Sequence, residues 1–129
     1  MILFIDTSNF ESLHLALIDS EVKSFKTSVA FNENYKTNQL LADFLQQEKI
    51  TPQDLTQIIV CSGPGSFTGI RVGVALAQAL SFALQIPAHT ITEADIPQDL
   101  LQIKNASLNE LGAQNQLNYG QEPNITKPK

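Results

Sequence analysis

The order of apolar and polar positions predicts several short strands at the start of the chain. Ile2–Ile5 is an unbroken apolar run, which is typical of a strand covered on both faces. Leu13, Leu15 and Leu17 then alternate with His14, Ala16 and Ile18, and polar and apolar residues alternate at 22–29, with Asp19–Ser20 between the two segments. This alternation predicts two further strands joined by a tight turn. Three consecutive strands with short connections indicate an antiparallel meander.

A change to helical spacing marks two longer elements. Residues 34–49 place amides on one side of a helix and apolar side chains on the other, at Leu40, Leu41, Phe44 and Leu45. Ile58–Cys61 is predicted to be a buried strand, and it runs into a glycine-rich loop at residues 63–69. A second, longer helix is predicted from about Thr68 to Leu84.

The order of the elements indicates the fold class. With a fifth strand predicted at residues 88–91, after the helix-ending Pro87, the chain has the order strand-strand-strand-helix-strand-helix-strand. This order matches an actin-like ATPase half-domain of the RNase H-like group, an α/β unit with a mixed five-stranded sheet and flanking helices. Periodicity alone leaves other mixed α/β folds open. We assign residues 1–92 to this lobe and residues 93–129 to a reduced second lobe and a polar C-terminal tail, which begins at Asn105 and cannot build its own core.

The second helix has more apolar surface than a helix lying on one sheet requires. Between Gly69 and Leu84 its polar side chains are Arg71, Gln78 and Ser81, which fall in a stripe of about 80° at roughly 100° per residue. One interpretation is a central helix covered by its own sheet and by a neighbouring helix. The favoured interpretation is a partner interface, because a short chain has few helices with which to cover so much apolar surface.

The loop before this helix is a candidate anion site. Gly63 and Gly65 lie between a strand and a helix, where backbone N–H groups and the helix dipole attract negative charge. Asp6 and Thr7 follow the first strand, where an actin-like ATPase keeps a carboxylate near its nucleotide. No lysine precedes Ser66, as a Walker-type loop would need. These four residues therefore predict at most weak anion or nucleotide binding, and a tight turn made possible by glycine is the favoured alternative.

The sequence predicts neither a catalytic site nor a metal site. His14 and His89 are the two histidines, and they fall on separate predicted strands with no second ligand at metal-binding spacing. A lone Asp6 at the end of a strand is more often a turn former than a catalytic group. We therefore expect no catalytic residue, no metal ligand and no confidently bound cofactor.

Composition narrows the possible partners and the compartment. The 8 basic and 13 acidic residues give a net charge of −5 and a pI near 4.8, whereas a protein that grips nucleic acid by its phosphates carries a basic excess. Cys61 is the single cysteine, which fits a reducing compartment. The apolar stretch 70–88 contains Arg71 and Gln78, so we interpret it as a buried soluble helix. We expect a cytoplasmic protein with no membrane association.

Two motifs carry a specific resemblance to a known family. Ile5–Ser8, followed by Gly63–Gly73 and then Ala77–Gln78, resembles the TsaB (YeaZ-like) family over about residues 1–92. The resemblance implies an actin-like subunit that has lost catalytic metal ligands and pairs with a TsaD-like catalytic subunit. With a TsaE-like ATPase, and with ATP or ADP bound at the level of the complex, such subunits support the synthesis of threonylcarbamoyladenosine, at N6 of adenosine, in tRNA. It implies only indirect contact with tRNA.

The resemblance also implies which residues face the partner. They come from both predicted helices and are Leu41, Leu45, Ile70, Arg71, Gly73, Val74, Ala77, Gln78 and Ser81. Family members are usually longer, so the chain is interpreted as a shortened form; Lys36 and Gln121 stand where the family has histidine and arginine. Two alternatives stay open: an actin-like nucleotide-binding remnant, and a homodimer that self-associates without a role in tRNA modification.

Overall fold

Five strands and three helices account for most of the part of the chain that the computed structural model describes, residues 1–9, 12–28, 37–65 and 67–105. In chain order they are β1 (Ile2–Asp6), β2 (Ser12–Ile18), β3 (Val22–Ser28), α1 (Thr37–Gln47), β4 (Gln57–Cys61), α2 (Phe67–Leu84), β5 (Ala88–Ile91) and α3 (Leu101–Asn105). The predicted order of strands and helices is confirmed. The predicted tail, residues 106–129, and Lys36 lie outside the described residues, and the domain boundary at residue 92 stays a prediction.

The strands form one mixed sheet in the order β3-β2-β1-β4-β5. β1 pairs antiparallel with β2, with Asp6 opposite His14, and β2 pairs antiparallel with β3, with His14 opposite Lys26. β4 pairs in parallel with β1 and with β5. The pairing follows from the connections, because short turns produce antiparallel neighbours whereas parallel neighbours need a crossover such as α1 or α2.

The sheet is buried on both faces, which explains the unbroken apolar run of β1. Leu3 and Ile5 point to the face covered by α1 and α2, together with Leu15, Ile58 and Val60. Ile2 and Phe4 point to the opposite face, where Ile103 of α3 and the half-buried Ile96 cover them. A strand with both faces covered needs apolar side chains at successive positions rather than at alternate ones.

α1 is an ordinary amphipathic helix that lies over β2 and β3. Its Phe44 ring stacks on Phe25 of β3, with centroids 5.8 Å apart and planes at 26°. The helix ends in a left-handed turn, with Lys49 at φ 60° and the Ile50 N–H donating to the Leu45 carbonyl at 2.9 Å. Its outward side is polar and exposed, at Asn38, Gln39, Asp43, Gln46 and Gln47.

α2 covers the same face of the sheet as α1 and lies against β4, β1 and β5. It begins at Phe67, one residue before the predicted start, and ends at Leu84. Gln85 at φ 58° then reverses the backbone ahead of Pro87. Within the described ranges α2 is the helix that is long and apolar enough to span a membrane by length and composition alone, and one third of it is buried against the rest of this chain.

Candidate functional site

Asp6, Thr7 and Ser8 form a turn at the carboxyl end of β1. Asp6 Oδ1 accepts hydrogen bonds from the Ser8 N–H at 2.9 Å and from the Ser8 hydroxyl at 2.6 Å. The buried Cys61 thiol lies 3.7 Å from the Ser8 hydroxyl oxygen. An aspartate that bonds the backbone two residues onward stabilises a turn. Oδ1 of Asp6 therefore has a structural role, which is to stabilise this turn.

Thr7 joins this turn to the start of α2. Its hydroxyl donates a buried hydrogen bond to the Gly69 carbonyl, 2.5 Å away, in the first turn of the helix. One helical turn further on, a Cβ added at Gly73 would overlap the Thr7 hydroxyl oxygen. The helix therefore approaches the β1 turn closely because residue 73 has no side chain.

The glycine loop packs against the same turn. Gly63 has a φ of +100°, a conformation that favours glycine, and its carbonyl accepts a hydrogen bond from Glu93 N–H at 2.8 Å. A Cβ at Gly65 would overlap the Ser8 carbonyl oxygen. Ser8 thus links the Asp6–Thr7 turn to the glycine loop, and its carbonyl occupies the space on the Cβ side of Gly65. The requirement for glycine has a structural explanation at both loop positions.

The two histidines and the cysteine lie in separate environments. Partial burial, and then the Lys26 charge, lower the pKa of His14, against an opposing effect of Asp6. Burial lowers the pKa of His89, whose two ring nitrogens have no hydrogen-bond partner. Burial also raises the pKa of the Cys61 thiol. Among the residues described, no three His, Cys, Asp or Glu side chains are grouped to hold a metal ion.

Most of the side chains predicted to face a partner pack inside this chain. Leu41 and Leu45 of α1 are buried, and so are the α2 residues Ile70, Gly73, Val74, Ala77 and Gln78. Leu41, Leu45, Ile70, Val74 and Ala77 belong to the core beneath the helices, and Gly73 packs against Thr7 and Val60. Arg71 is half-buried, with its guanidinium carbon 5.4 Å from the Phe67 ring centre, and the Ser81 hydroxyl donates to the Ile86 carbonyl at 2.5 Å. The predicted set therefore mostly marks the inner side of α2.

The opposite side of α2 is exposed and apolar. Ala75, Ala79, Phe82 and Ala83 are exposed there, with half-buried Val72 and Leu76 at the border. At roughly 100° per residue these six residues cover an arc of about 120°, and we name them the α2 outer face. Phe82 is 59% exposed, an unusual state for an aromatic side chain of this size. The α2 outer face is therefore a candidate binding surface.

The partner-facing set predicted from the sequence does not include Ala75, Ala79, Phe82 or Ala83, and that set stays a prediction. Rows of small residues four apart occur twice in α2, at Gly69, Gly73 and Ala77 and at Ala75, Ala79 and Ala83. The spacing alone therefore does not distinguish the side that packs on the sheet from the side that is exposed.

Comparisons with known proteins agree with the motif resemblance. The family model for TsaD, tRNA N6-adenosine threonylcarbamoyltransferase, matches residues 29–97. The tRNA threonylcarbamoyladenosine biosynthesis protein TsaB of Bacillus subtilis is 36% identical over 96 residues, which are 73% of this chain and 42% of that protein. TsaB of Buchnera aphidicola subsp. Schizaphis graminum is 34% identical over 97 residues, 74% of this chain and 46% of that protein.

A solved structure gives the same result for the fold. YeaZ from Pseudomonas aeruginosa superimposes with a TM-score of 0.67 at 27% identity, over 74% of this chain and 45% of that one. The chain therefore spans less than half the length of the relatives that it matches. The sheet order, the two helices on one face and the motif matches converge on one family. The chain belongs to the family described as TsaD, tRNA N6-adenosine threonylcarbamoyltransferase, and is a TsaB (YeaZ)-like member with an actin-like α/β fold.

Proposed function

We propose that this chain is a non-catalytic subunit of the machinery that makes threonylcarbamoyladenosine in tRNA, and that it docks a TsaD-like enzyme through the α2 outer face. The names of its relatives support the pathway. The observation that carries the docking role is the apolar outer side of α2, in contrast to the polar outer side of α1. Both helices cover the same face of the sheet and expose their outer side, yet that side is polar in α1 and apolar in α2. Exposure to solvent alone explains the polar side of α1 but not the apolar side of α2.

The chemistry of the α2 outer face fits another protein helix. Its alanines permit close approach of a second helix, and Phe82 offers a large apolar side chain of the kind that anchors interfaces. Burying one such side chain contributes on the order of 1.5–3 kcal/mol. A helix that lies on a lipid surface carries lysines and arginines along its polar side. In α2 the one charged residue is Arg71, so a protein partner is favoured over a membrane.

The structural role of Asp6 and the separation of the two histidines support the proposal that the chain is non-catalytic. Asp6 holds a turn through Oδ1, while His14 on β2 and His89 on β5 are separated in the sheet by β1 and β4. The net charge of −5 supports a division of labour in which the partner holds tRNA. In the same proposal a TsaE-like ATPase and ATP or ADP act at the level of the complex, in the cytoplasm.

The docking proposal is tested with one charge placed on either helix. Ala79→Glu puts a carboxylate at the centre of the α2 outer face, whereas the control Ala42→Glu puts it on the exposed polar side of α1. Affinity for the TsaD-like enzyme of the same organism is measured by titration calorimetry. We expect binding by the wild-type chain, a loss of at least about 100-fold for Ala79→Glu because a dry interface excludes an unpaired charge, and little change for Ala42→Glu.

Three results would count against the docking proposal in different ways. A folded wild-type chain that does not bind the enzyme refutes it. Equal affinities for Ala79→Glu and Ala42→Glu move the interface away from α2. Sedimentation of the pure chain at several concentrations tests the alternative that the α2 outer face joins two copies; a tight homodimer that Ala79→Glu dissociates and that resists the enzyme favours that alternative.

A further inference from the structure

We infer that Thr7 is a positioning residue that fixes how α2 sits on the sheet and thereby how the α2 outer face is presented to its partner. The inference rests on the docking role proposed above. Thr7 does not touch the outer face. It lies on the inner side of the helix, 6% exposed, between the end of β1 and the first turns of α2.

Thr7 contacts α2 at two successive turns. Its hydroxyl donates to the Gly69 carbonyl at 2.5 Å, and the same oxygen fills the notch left by the missing side chain of Gly73. A helical carbonyl has a second lone pair, so Gly69 can accept this bond as well as its own helical one. The contact joins β1 to α2 across 62 positions of sequence.

The turn that holds Thr7 is itself braced on both sides. Asp6 Oδ1 accepts two hydrogen bonds from Ser8 and fixes the turn, while the backbone of Ser8 packs against Gly65 in the loop that leads into α2. The group Asp6–Thr7–Ser8 therefore holds the start of the helix by hydrogen bonds and close backbone contact. We call these three residues the β1 clip.

The contact between Thr7 and Gly69 is directional, whereas most of the inner side of α2 is held by apolar contact. The inner side rests on the sheet through Ile70, Val74 and Ala77, which are apolar and buried. Apolar contact is proportional to area and does not by itself define the rotation of a helix. A hydrogen bond restricts both distance and angle. Val72 and Leu76 each follow one of the clip's contact residues, Gly69 and Gly73, by three positions on the same helix. A shift of α2 at the clip therefore also moves this border of the α2 outer face.

The test compares Thr7→Ala, which removes the hydroxyl, with Thr7→Ser, which keeps it. Affinity for the TsaD-like enzyme is measured at a temperature where every variant is fully folded. We expect Thr7→Ala to weaken binding about three- to tenfold, the range set by the net contribution of one hydrogen bond, and Thr7→Ser to stay within about twofold of wild type. Wild-type affinity in Thr7→Ser would show that the hydroxyl of Thr7, and not its methyl group, is required for binding.

Two further variants complete the design. Thr7→Val places a methyl group where the oxygen stands 2.5 Å from the Gly69 carbonyl, closer than the ~3.3 Å that a C–H···O contact permits, so it moves the helix and weakens binding more than Thr7→Ala. Ile18→Val trims the core on the face of the sheet away from α2 and supplies a control of reduced stability. We expect that control to keep wild-type affinity.

Each outcome identifies which statement fails. If the wild-type chain binds the enzyme and Thr7→Ala binds equally well, the positioning role is refuted and the docking proposal stands. If Ile18→Val weakens binding as much as Thr7→Ala at matched stability, Thr7 acts through stability alone and the inference is again refuted. If the wild-type chain does not bind, the docking proposal fails first and the inference falls with it.

Discussion

Replacing Gly73 by alanine tests the close contact between Thr7 and α2 directly. Glycine in the middle of a helix is ordinarily a cost, and alanine there stabilises by about 0.5–1 kcal/mol. At Gly73 we expect the opposite sign. A Cβ built at this position would overlap the Thr7 hydroxyl oxygen and would lie 3.3 Å from Val60 Cγ2. Relief requires the Thr7 side chain to rotate and lose its bond to the Gly69 carbonyl, or the helix or the turn to move.

The expected magnitude combines two opposing terms. Overfilling a close-packed site costs about 1–3 kcal/mol, and the helix preference for alanine returns about 0.5–1 kcal/mol. The net result is a loss of roughly 0–2.5 kcal/mol in the free energy of unfolding, measured by urea denaturation. Ala75→Gly, on the exposed side of the same helix, is the matched control for the preference term alone and is expected to lose about 1 kcal/mol.

A double-mutant cycle assigns the effect to Thr7. Once Thr7→Ala removes the hydroxyl, the Cβ of alanine at position 73 meets the Cβ of residue 7 at 3.5 Å, an ordinary van der Waals distance. Gly73→Ala should then cost less in the Thr7→Ala background than in the wild type, with a coupling of about 1 kcal/mol. A Gly73→Ala variant more stable than wild type, or strictly additive effects, would refute the close contact.

Two further predictions concern buried titratable groups. Burial lowers the pKa of His89, so as pH falls below the unfolded value of about 6.5 the unfolded state takes up the proton first, and stability declines by at most ~1.4 kcal/mol per pH unit until the folded pKa is reached. His89→Leu removes this ionisable group and its two ring nitrogens without partners, so the urea midpoint should depend less on pH between pH 7.5 and 5. Part of the remaining pH dependence comes from His14, whose pKa is lowered as well. A pH dependence as steep as that of the wild type contradicts the assignment to His89. Cys61 is fully buried with a raised pKa, so at pH 8 iodoacetamide should label it at least about 100-fold more slowly in the native protein than in urea, and mass spectrometry showing equal rates would disprove its burial.

The fold could be predicted from the sequence because each strand and helix has a recognisable local pattern of apolar and polar residues. Ile2–Ile5 is apolar throughout since both of its faces are covered, and β2 and β3 alternate around a short turn. The helical period of α1 is equally clear, and its apolar positions Leu41 and Leu45, which the resemblance assigned to a partner surface, are buried within this chain. In each of these cases the signal lies within a few residues of the feature that it predicts.

The candidate sites were harder to predict because they depend on contacts between distant segments. That the Asp6–Thr7 turn and the glycine loop meet could be expected, since adjacent parallel strands end at the same edge of the sheet. That Gly65 makes room for Ser8 could not be expected, because nothing local to the loop specifies which atom fills the space. In α2 nearly every position is apolar or small. The sequence therefore predicted a helix but did not show which side of that helix packs on the sheet.

The ambiguity of α2 has a physical cause that also guides its experimental study. Small residues occur on both sides of α2. Gly69, Gly73 and Ala77 let the helix approach the sheet, and the opposite side also carries small side chains, at Ala75, Ala79 and Ala83. As in most protein helices, the stability of α2 comes largely from packing. A partner that covers the outer side therefore stabilises the chain by mass action as well as binding it. A charge at Val74 or Ala77 consequently tests folding, whereas a charge at Ala79 or Phe82 tests docking.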